Sequence, residues 1–434
     1  MRKVLIITYY WPPAGGPGVQ RVLKFAKYLP EFGWQPLVLT VKKGEYPAID
    51  ETLAEDIPEC CKIYKTNSIE PNLFYKKFAG MKPDEKIPVA VLAEKNLNWK
   101  KRLANWIRLN LFIPDAKIGW RPFAVREGKG IIAREKPDII FSSSPPPTVH
   151  LIAKKLAKWG RIRWIADFRD PWTDIYHYDK VQKSTHTKSR DRTLERKILN
   201  TADELITVSK NVASLLAAKK SSKKTITILS NGYDEVDFCD FDKIQGFDKF
   251  SLTYAGKMNN QQNPTNLWWA LGNLVKNSEK FAKDLKLLFM GNVAGEIIHE
   301  IKANNLENNL KIAGYVRHKK VLENLCKSHI LLLLIPDTKN NEGIVTGKLF
   351  EYLATENFIL GIGPKNGDAA KILQQTNTGK MFDFNEIEEV KREIEIQYEN
   401  WRKEIKPKVN KEEIRKYSRR KLTKKLVETF ENLR

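Results

Sequence analysis

Short apolar runs alternate with amphipathic stretches through most of this chain. Residues 4–8 form the first apolar run, and a turn-rich loop from Trp11 to Gly18 follows. Beyond it Val22, Leu23, Phe25, Ala26 and Leu29 recur at helical spacing, up to Gly33. Residues 36–41 are apolar again. Buried strand, helix, buried strand predicts a βαβ unit and therefore a parallel sheet. The same alternation predicts strands over 137–142, 164–166, 204–208 and 225–229, with helices over 149–159 and 194–199. A second series starts at Phe250: a strand over 252–255, a helix over 266–275, and strands over 285–290, 310–313 and 329–335. A helix over 348–354 and a strand over 358–362 close that series. Residues 45–125 are less regular. Residues 177–196 are polar and basic, which predicts a mobile surface segment. Residues 234–247 are acidic and irregular, as a linker would be.

The loops that end the strands carry the candidate chemistry, because ligands of open α/β sheets bind outside the carboxyl ends of the strands. Gly15 and Gly16 follow the first strand and could approach a phosphate or a sugar, or only permit a tight turn. The G-x-G-x-x-G dinucleotide fingerprint is absent there, which argues against a nicotinamide cofactor. Ser142 to His150 reads SSSPPPTVH, and its three prolines stiffen the loop. His150 reads as a residue on a helix surface. The strand at 164–166 ends in Asp167, Phe168, Arg169 and Asp170, two carboxylates about an arginine. These form either a polar site or an Asp–Arg pair that fixes the loop. In the second series, Glu342 to Pro364 reads EGIVTGKLFEYLATENFILGIGP. Gly343 and Gly347 loosen a loop that runs into a helix, whose free N–H groups and dipole attract an anion. Glu351 sits about one turn in, where a carboxylate either accepts hydrogen bonds from sugar hydroxyls or is simply solvated. Phosphate at the N–H groups with hydroxyls at the carboxylate points to a nucleotide or nucleotide sugar.

The charge changes this picture. With 75 Lys and Arg against 52 Asp and Glu, the formal charge is +23 over 434 residues, which calls for an anionic partner. Between Leu97 and Ile113, Trp99, Leu103, Trp106 and Ile107 share one helical face, with Lys100, Lys101, Arg102 and Arg108 beside or opposite it. Such a helix suits an anionic membrane surface, or packs its stripe on the core. Nucleic acid is the weaker partner, since no helix-turn-helix or aromatic-rich basic strand is visible. The four cysteines, Cys60, Cys61, Cys239 and Cys326, lack metal-ligand spacing and fit a reduced, cytoplasmic compartment. No signal peptide is expected, and no apolar run approaches the roughly 20 residues that span a bilayer.

Read in order, the Gly-Gly loop, S-P-P-P, D-F-R-D-P-W, N-G-x-D at 231–234, the Gly256-Lys257 loop and G-K-L-F-E-Y-L-A resemble family 4 retaining glycosyltransferases of the GT-B fold, in a bacterial subgroup that builds surface polysaccharides. The resemblance spans most of the chain. It implies an α/β protein with two Rossmann-like parallel-sheet domains facing a cleft. Residues 1–232 would form the acceptor-side domain, 233–248 the linker, 249–385 the nucleotide-sugar domain, and 386–434 closing helices that pack back toward the first. It also implies transfer from a nucleotide-diphosphate sugar to a glycan or lipid-linked acceptor, with retention and without a metal or other cofactor. An alternative is a non-catalytic member that binds nucleotide sugar or polysaccharide. By the resemblance, the donor site comprises Gly15, Gly16, Lys257, Gly343, Thr346, Gly347, Lys348, Leu349 and Glu351. Asp170 and Glu342 are the catalytic candidates, and Ser144 and Arg169 the acceptor-side ones. Two departures stand out. The family places two glutamates with seven residues between them; Glu351 matches the second, but the first position falls on Gly343, with Glu342 one residue early. Gln262 stands where a second cation is expected beside Lys257. The compartment implied is the cytoplasm, with attachment to the inner face of the plasma membrane through the 97–113 stretch.

Overall fold

A computed structural model describes residues 1–46, 48–69, 99–175, 183–221, 225–241 and 244–433. The chain divides into two compact units: Met1–Ser230 with Leu422–Arg434, and Asn231–Lys421.

The first unit is built on a seven-stranded parallel sheet. Its strands are β1 (Arg2–Ile7), β2 (Trp34–Val41), β3 (Lys62–Thr66), β4 (Ile139–Ser144), β5 (Arg163–Phe168), β6 (Glu204–Thr207) and β7 (Ile226–Ile228). The order is β3-β2-β1-β4-β5-β6-β7. Strand side chains alternate between faces, so each strand feeds two cores. Leu5, Ile7, Leu37, Leu39 and Ile140 pack beneath the Arg121–Glu135 and Thr148–Gly160 helices. Val4, Ile6, Val38 and Phe141 pack beneath the Pro17–Tyr28 helix and the last helix, Arg419–Glu431. Trp34 meets Phe430 edge-on with ring centroids 5.0 Å apart.

The second unit has six parallel strands: β8 (Phe250–Ala255), β9 (Leu285–Met290), β10 (Leu310–Gly314), β11 (Ile330–Leu334), β12 (Phe358–Ile362) and β13 (Gly379–Phe382). The order is β10-β9-β8-β11-β12-β13. The β11 run is apolar throughout, ILLLL, and all five residues are buried, as a central strand covered on both faces requires. In both sheets the strand order reverses beside the first strand, at β1/β4 and at β8/β11. Those are the two topological switch points, where loops part to admit a ligand.

Three sequence expectations need correction. The 386–434 segment does not act as one piece. The Ile387–Arg402 helix buries Val390, Ile394 and Tyr398 in the second unit's core, and only the final helix joins the first unit. Within the basic 177–196 segment, residues 177–182 lie outside the described ones, but Thr185–Thr201 is a continuous helix. Its inward face is polar in its first half: Asp191 accepts from Trp172 Nε1 at 2.9 Å and pairs with Lys183, and Glu195 accepts from Thr173 and Lys219. An apolar period marks only its end, the helix predicted over 194–199, where Ile198 and Leu199 are buried. His150 is completely buried. Its Nδ1 lies 2.8 Å from Ser142 Oγ, its ring lies tilted against Phe168 with centroids 4.5 Å apart, and burial lowers its pKa to about 3. It is a neutral core residue. Of the 97–113 stretch, residues 97 and 98 lie outside the described ones, and Trp99–Leu111 is helical.

Candidate functional site

At the second unit's switch point, β8 is followed by Gly256 and β11 leads into the loop before the Gly347–Ala354 helix. Gly256 has φ +116°, and a Cβ there would stand 2.8 Å from Lys348 Cε. Only glycine combines that backbone with room for the lysine. Lys348 Nζ donates to the Tyr254 hydroxyl at 2.6 Å and lies 4.0 Å from the centre of its ring. Tyr254 in turn donates to the Lys257 carbonyl at 2.9 Å. Burial lowers the Lys348 pKa to about 8, against an opposing pull from Glu351. The site thus holds a partly desolvated cation that an anion would favour.

Thr346 occupies the N-cap position of the Gly347–Ala354 helix, yet its side chain makes no capping hydrogen bond. Its Oγ1, like that of Thr338 in the same loop, is buried without a hydrogen-bond partner. A buried hydroxyl without a partner at a helix N-terminus calls for an explanation. Glu351 lies one turn in, with Oε1 3.1 Å from His318 Nε2, so the G-Y-V-R-H stretch after β10 reaches this helix. The loop after β8 is tied to the loop after β11 by the Asp337 N–H to Gln261 carbonyl bond of 3.0 Å. Gln262 completes a capping box with Asn259 and hydrogen-bonds the Tyr254 hydroxyl, so its amide shapes the loop where a second cation was expected.

At the first unit's switch point the arginines are structural. Arg21 and Asp167 are both fully buried and form a bidentate pair, Nε–Oδ2 3.0 Å and Nη2–Oδ1 2.8 Å. Ser143 Oγ also donates to Asp167 at 2.6 Å, and Arg21 reaches the carbonyls of Leu229 and Ser230. Arg169 donates to the carbonyls of Ser144, Gly18 and Pro145, clasping the ends of β4 and β5 to the start of the Pro17–Tyr28 helix. Gly15 is held by its N–H to the Ala48 carbonyl at 2.9 Å, while Gly16, at φ +97°, faces open space.

The match to the family model fits this arrangement. Residues 16–236 match the model of Glycosyltransferase Family 4, a span of half the chain. The chain belongs to glycosyltransferase family 4. Solved structures agree on the GT-B fold. A glycosyltransferase from Rickettsia africae superposes with a TM-score of 0.63 at 15% identity, covering 100% of this chain and 98% of that one. The sucrose-phosphate synthase of Thermosynechococcus elongatus gives 0.66 at 13% identity, covering 100% and 99%. Anabaena HepE in complex with UDP-glucose gives 0.63 at 13% identity, covering both chains fully. Among curated proteins no sequence matches.

In this family 4 glycosyltransferase, the structure brings Lys348, Thr346, Gly347 and Glu351 together at one helix end, with Gly256 and Lys257 beside them. Lys257 is exposed. Leu349 has its side chain fully buried in the core, and its N–H donates to the Thr346 carbonyl. Glu342 is exposed in a short turn, Asn341–Gly343, that includes Gly343. In the first unit Ser144 is buried at the end of β4, and its carbonyl is spent on Arg169. Asp170 is exposed at the start of the next loop. Tyr254 and His318 as partners of Lys348 and Glu351 escaped the sequence reading. Tyr254 gave no signal beyond its place near the end of a strand, whereas His318, the first residue of the His318–Lys327 helix, closes a G-x-V-x-H stretch that resembles the family's.

Proposed function

We propose that this protein transfers a sugar from a nucleoside-diphosphate sugar to a glycan or lipid-linked acceptor, with retention of configuration and without a metal, in the assembly of a surface polysaccharide. The observation that carries the donor half is the N-terminus of the Gly347–Ala354 helix. It presents uncapped N–H groups, an unpartnered Thr346 hydroxyl and the Lys348 ammonium together, a site for a diphosphate. As the glycosidic bond breaks, negative charge grows on the leaving diphosphate. Lys348, Lys257 and the helix end stabilise that charge where it develops. Glu351, steadied by His318, accepts the ribose hydroxyls. Glu342 or the Gly343 backbone meets the donor sugar, and Asp170 faces the acceptor. Because HepE was solved with UDP and with UDP-glucose, uridine is the first nucleotide to test.

A second reading, a member that binds a nucleotide sugar or polysaccharide without turnover, draws on Gln262 being built into a capping box in place of a cation. One experiment separates the two. Thermal shift against UDP, GDP, ADP, TDP and CMP, in wild type and Glu351→Ala, identifies the nucleotide, and turnover of the matching sugar nucleotide follows. A shift with one diphosphate, lost in the variant and accompanied by sugar transfer, supports the enzyme. A shift without transfer supports the binding protein. No shift with any nucleotide defeats both donor-site readings.

A further inference from the structure

The Trp99–Leu111 helix of the first unit carries exposed apolar side chains: Leu103 is 42% exposed, Trp106 53% and Leu111 65%. Its last turn and the turn after it are anchored at the carboxyl end of the sheet. Asn110 Oδ1 accepts from the Ser184 N–H at 2.7 Å and from Thr187 Oγ1 at 2.9 Å, at the start of the Thr185–Thr201 helix. Asp115 Oδ2 accepts from the Thr148 N–H and hydroxyl, each at 2.8 Å, at the start of the Thr148–Gly160 helix. The apolar side chains therefore lie at the same end of the sheet as Arg169 and Asp170.

The Thr185–Thr201 helix beside them has a one-signed surface. Arg190, Arg192, Arg196 and Lys197 are exposed, while its two acids, Asp191 and Glu195, are completely buried. None of the four cations forms an ion pair among the described residues. The crowding reaches the neighbouring helix, where Lys197 and Lys158 add to the burial that depresses the Lys154 pKa.

We propose that Leu103, Trp106 and Leu111, with the cationic face of the Thr185–Thr201 helix, form the surface by which this protein docks on an anionic phospholipid bilayer. An interfacial helix sinks its apolar side chains among the headgroups while nearby cations meet the lipid charge. A second copy of the chain would bring two like-charged faces together. A nucleic acid would satisfy the cations but leave Leu103 and Leu111 uncovered. Docking would set a lipid-linked acceptor at the carboxyl end of the first sheet, and in that respect alone it rests on the proposed function.

The test is co-sedimentation of the full chain with vesicles of phosphatidylglycerol and phosphatidylcholine, and with phosphatidylcholine alone. Wild type is expected to sediment with the anionic vesicles only. Each cation in the headgroup field is worth roughly fivefold in partition, so R192E/R196E should weaken binding at least about 25-fold, and L103E/W106E should abolish it. The control K424E/K425E, on exposed residues of the final helix at the opposite face of the sheet, should bind within about threefold of its parent once the uniform loss of net charge is counted. Circular dichroism keeps misfolded variants out of the comparison. Wild type that stays in the supernatant overturns the proposal. So do patch variants that sediment like wild type, a control that loses binding as fully as they do, or a wild-type dimer that L103E/W106E dissociates. Nucleotide thermal shift is read separately. Lost donor binding with intact docking defeats the proposed function, and the reverse defeats only the docking surface.

Discussion

Replacing Lys348 by methionine should stabilise the protein while removing a cation from the proposed donor site. The reason is the placement of the ammonium group. Burial takes its pKa from 10.5 to about 8. At about 1.4 kcal/mol per unit, the charged form is disfavoured by about 3 kcal/mol in the folded state at neutral pH. Methionine keeps the unbranched stem and its packing but removes the charge. It leaves the Tyr254 hydroxyl without the donor now at 2.6 Å, a loss of about 1 kcal/mol. The net expectation is a gain of about 1–2 kcal/mol, or roughly 2–8 °C in the melting temperature of a unit this size. The sign with pH follows from linkage. The folded pKa lies below the unfolded one, so the unfolded chain binds more protons between about 8 and 10.5. The penalty is full below about pH 8 and fades as the pH rises toward 10.5. Calorimetry of wild type and Lys348→Met across pH 7 to 10.5, without nucleotide, reads this directly: the gap between them should close with rising pH. With nucleoside diphosphate present, the variant should lose roughly 10- to 100-fold in affinity, the worth of a hydrogen bond to a charged group. A variant that melts below wild type at pH 7, or a gap that does not change with pH, would refute the reasoning.

Asp167→Ala should cost about 3–5 kcal/mol, because it strands the fully buried Arg21 cation. Urea unfolding measures it, and a loss under 1 kcal/mol would mean that water reaches the pair. Gly256→Ala should weaken diphosphate binding by isothermal titration, since the new methyl at φ +116° drives Lys348 from its position; unchanged affinity would remove Lys348 from the site. His318→Ala should reduce nucleotide affinity severalfold while its diphosphate contribution, read with pyrophosphate alone, stays constant, because His318 Nε2 meets the Glu351 carboxylate; an equal loss for pyrophosphate would contradict that role.

The buried strands were legible because a strand covered on both faces needs an unbroken apolar run, as 330–334 shows. Only the end of the helix at 185–201 was legible, over 194–199, and its earlier turns were hidden for the converse reason. Asp191 and Glu195 face inward and are satisfied by Trp172, Thr173, Lys183 and Lys219, partners that no local window contains. The Gly347–Ala354 helix was visible in G-K-L-F-E-Y-L-A, whereas the tie between Lys348 and Tyr254 joins residues 94 positions apart. In the D-F-R-D stretch an Asp–Arg pair that fixes the loop was among the expectations. The pair that forms is Asp167 with Arg21, 146 residues away, because the sheet sets the end of β5 next to the first helix.

By itself the sequence determined the class of this protein, two parallel α/β sheets with glycine-bearing loops at the carboxyl ends of their first strands. It could do so because hydrophobic period and turn chemistry are local properties of the chain. The tertiary structure alone decided which charges are buried and held by distant partners, such as Arg21, Arg169 and Asp167, and which meet only a neutral hydroxyl at a helix end, such as the Lys348 ammonium. Burial and pairing depend on neighbours brought from distant strands, and only the folded chain supplies them.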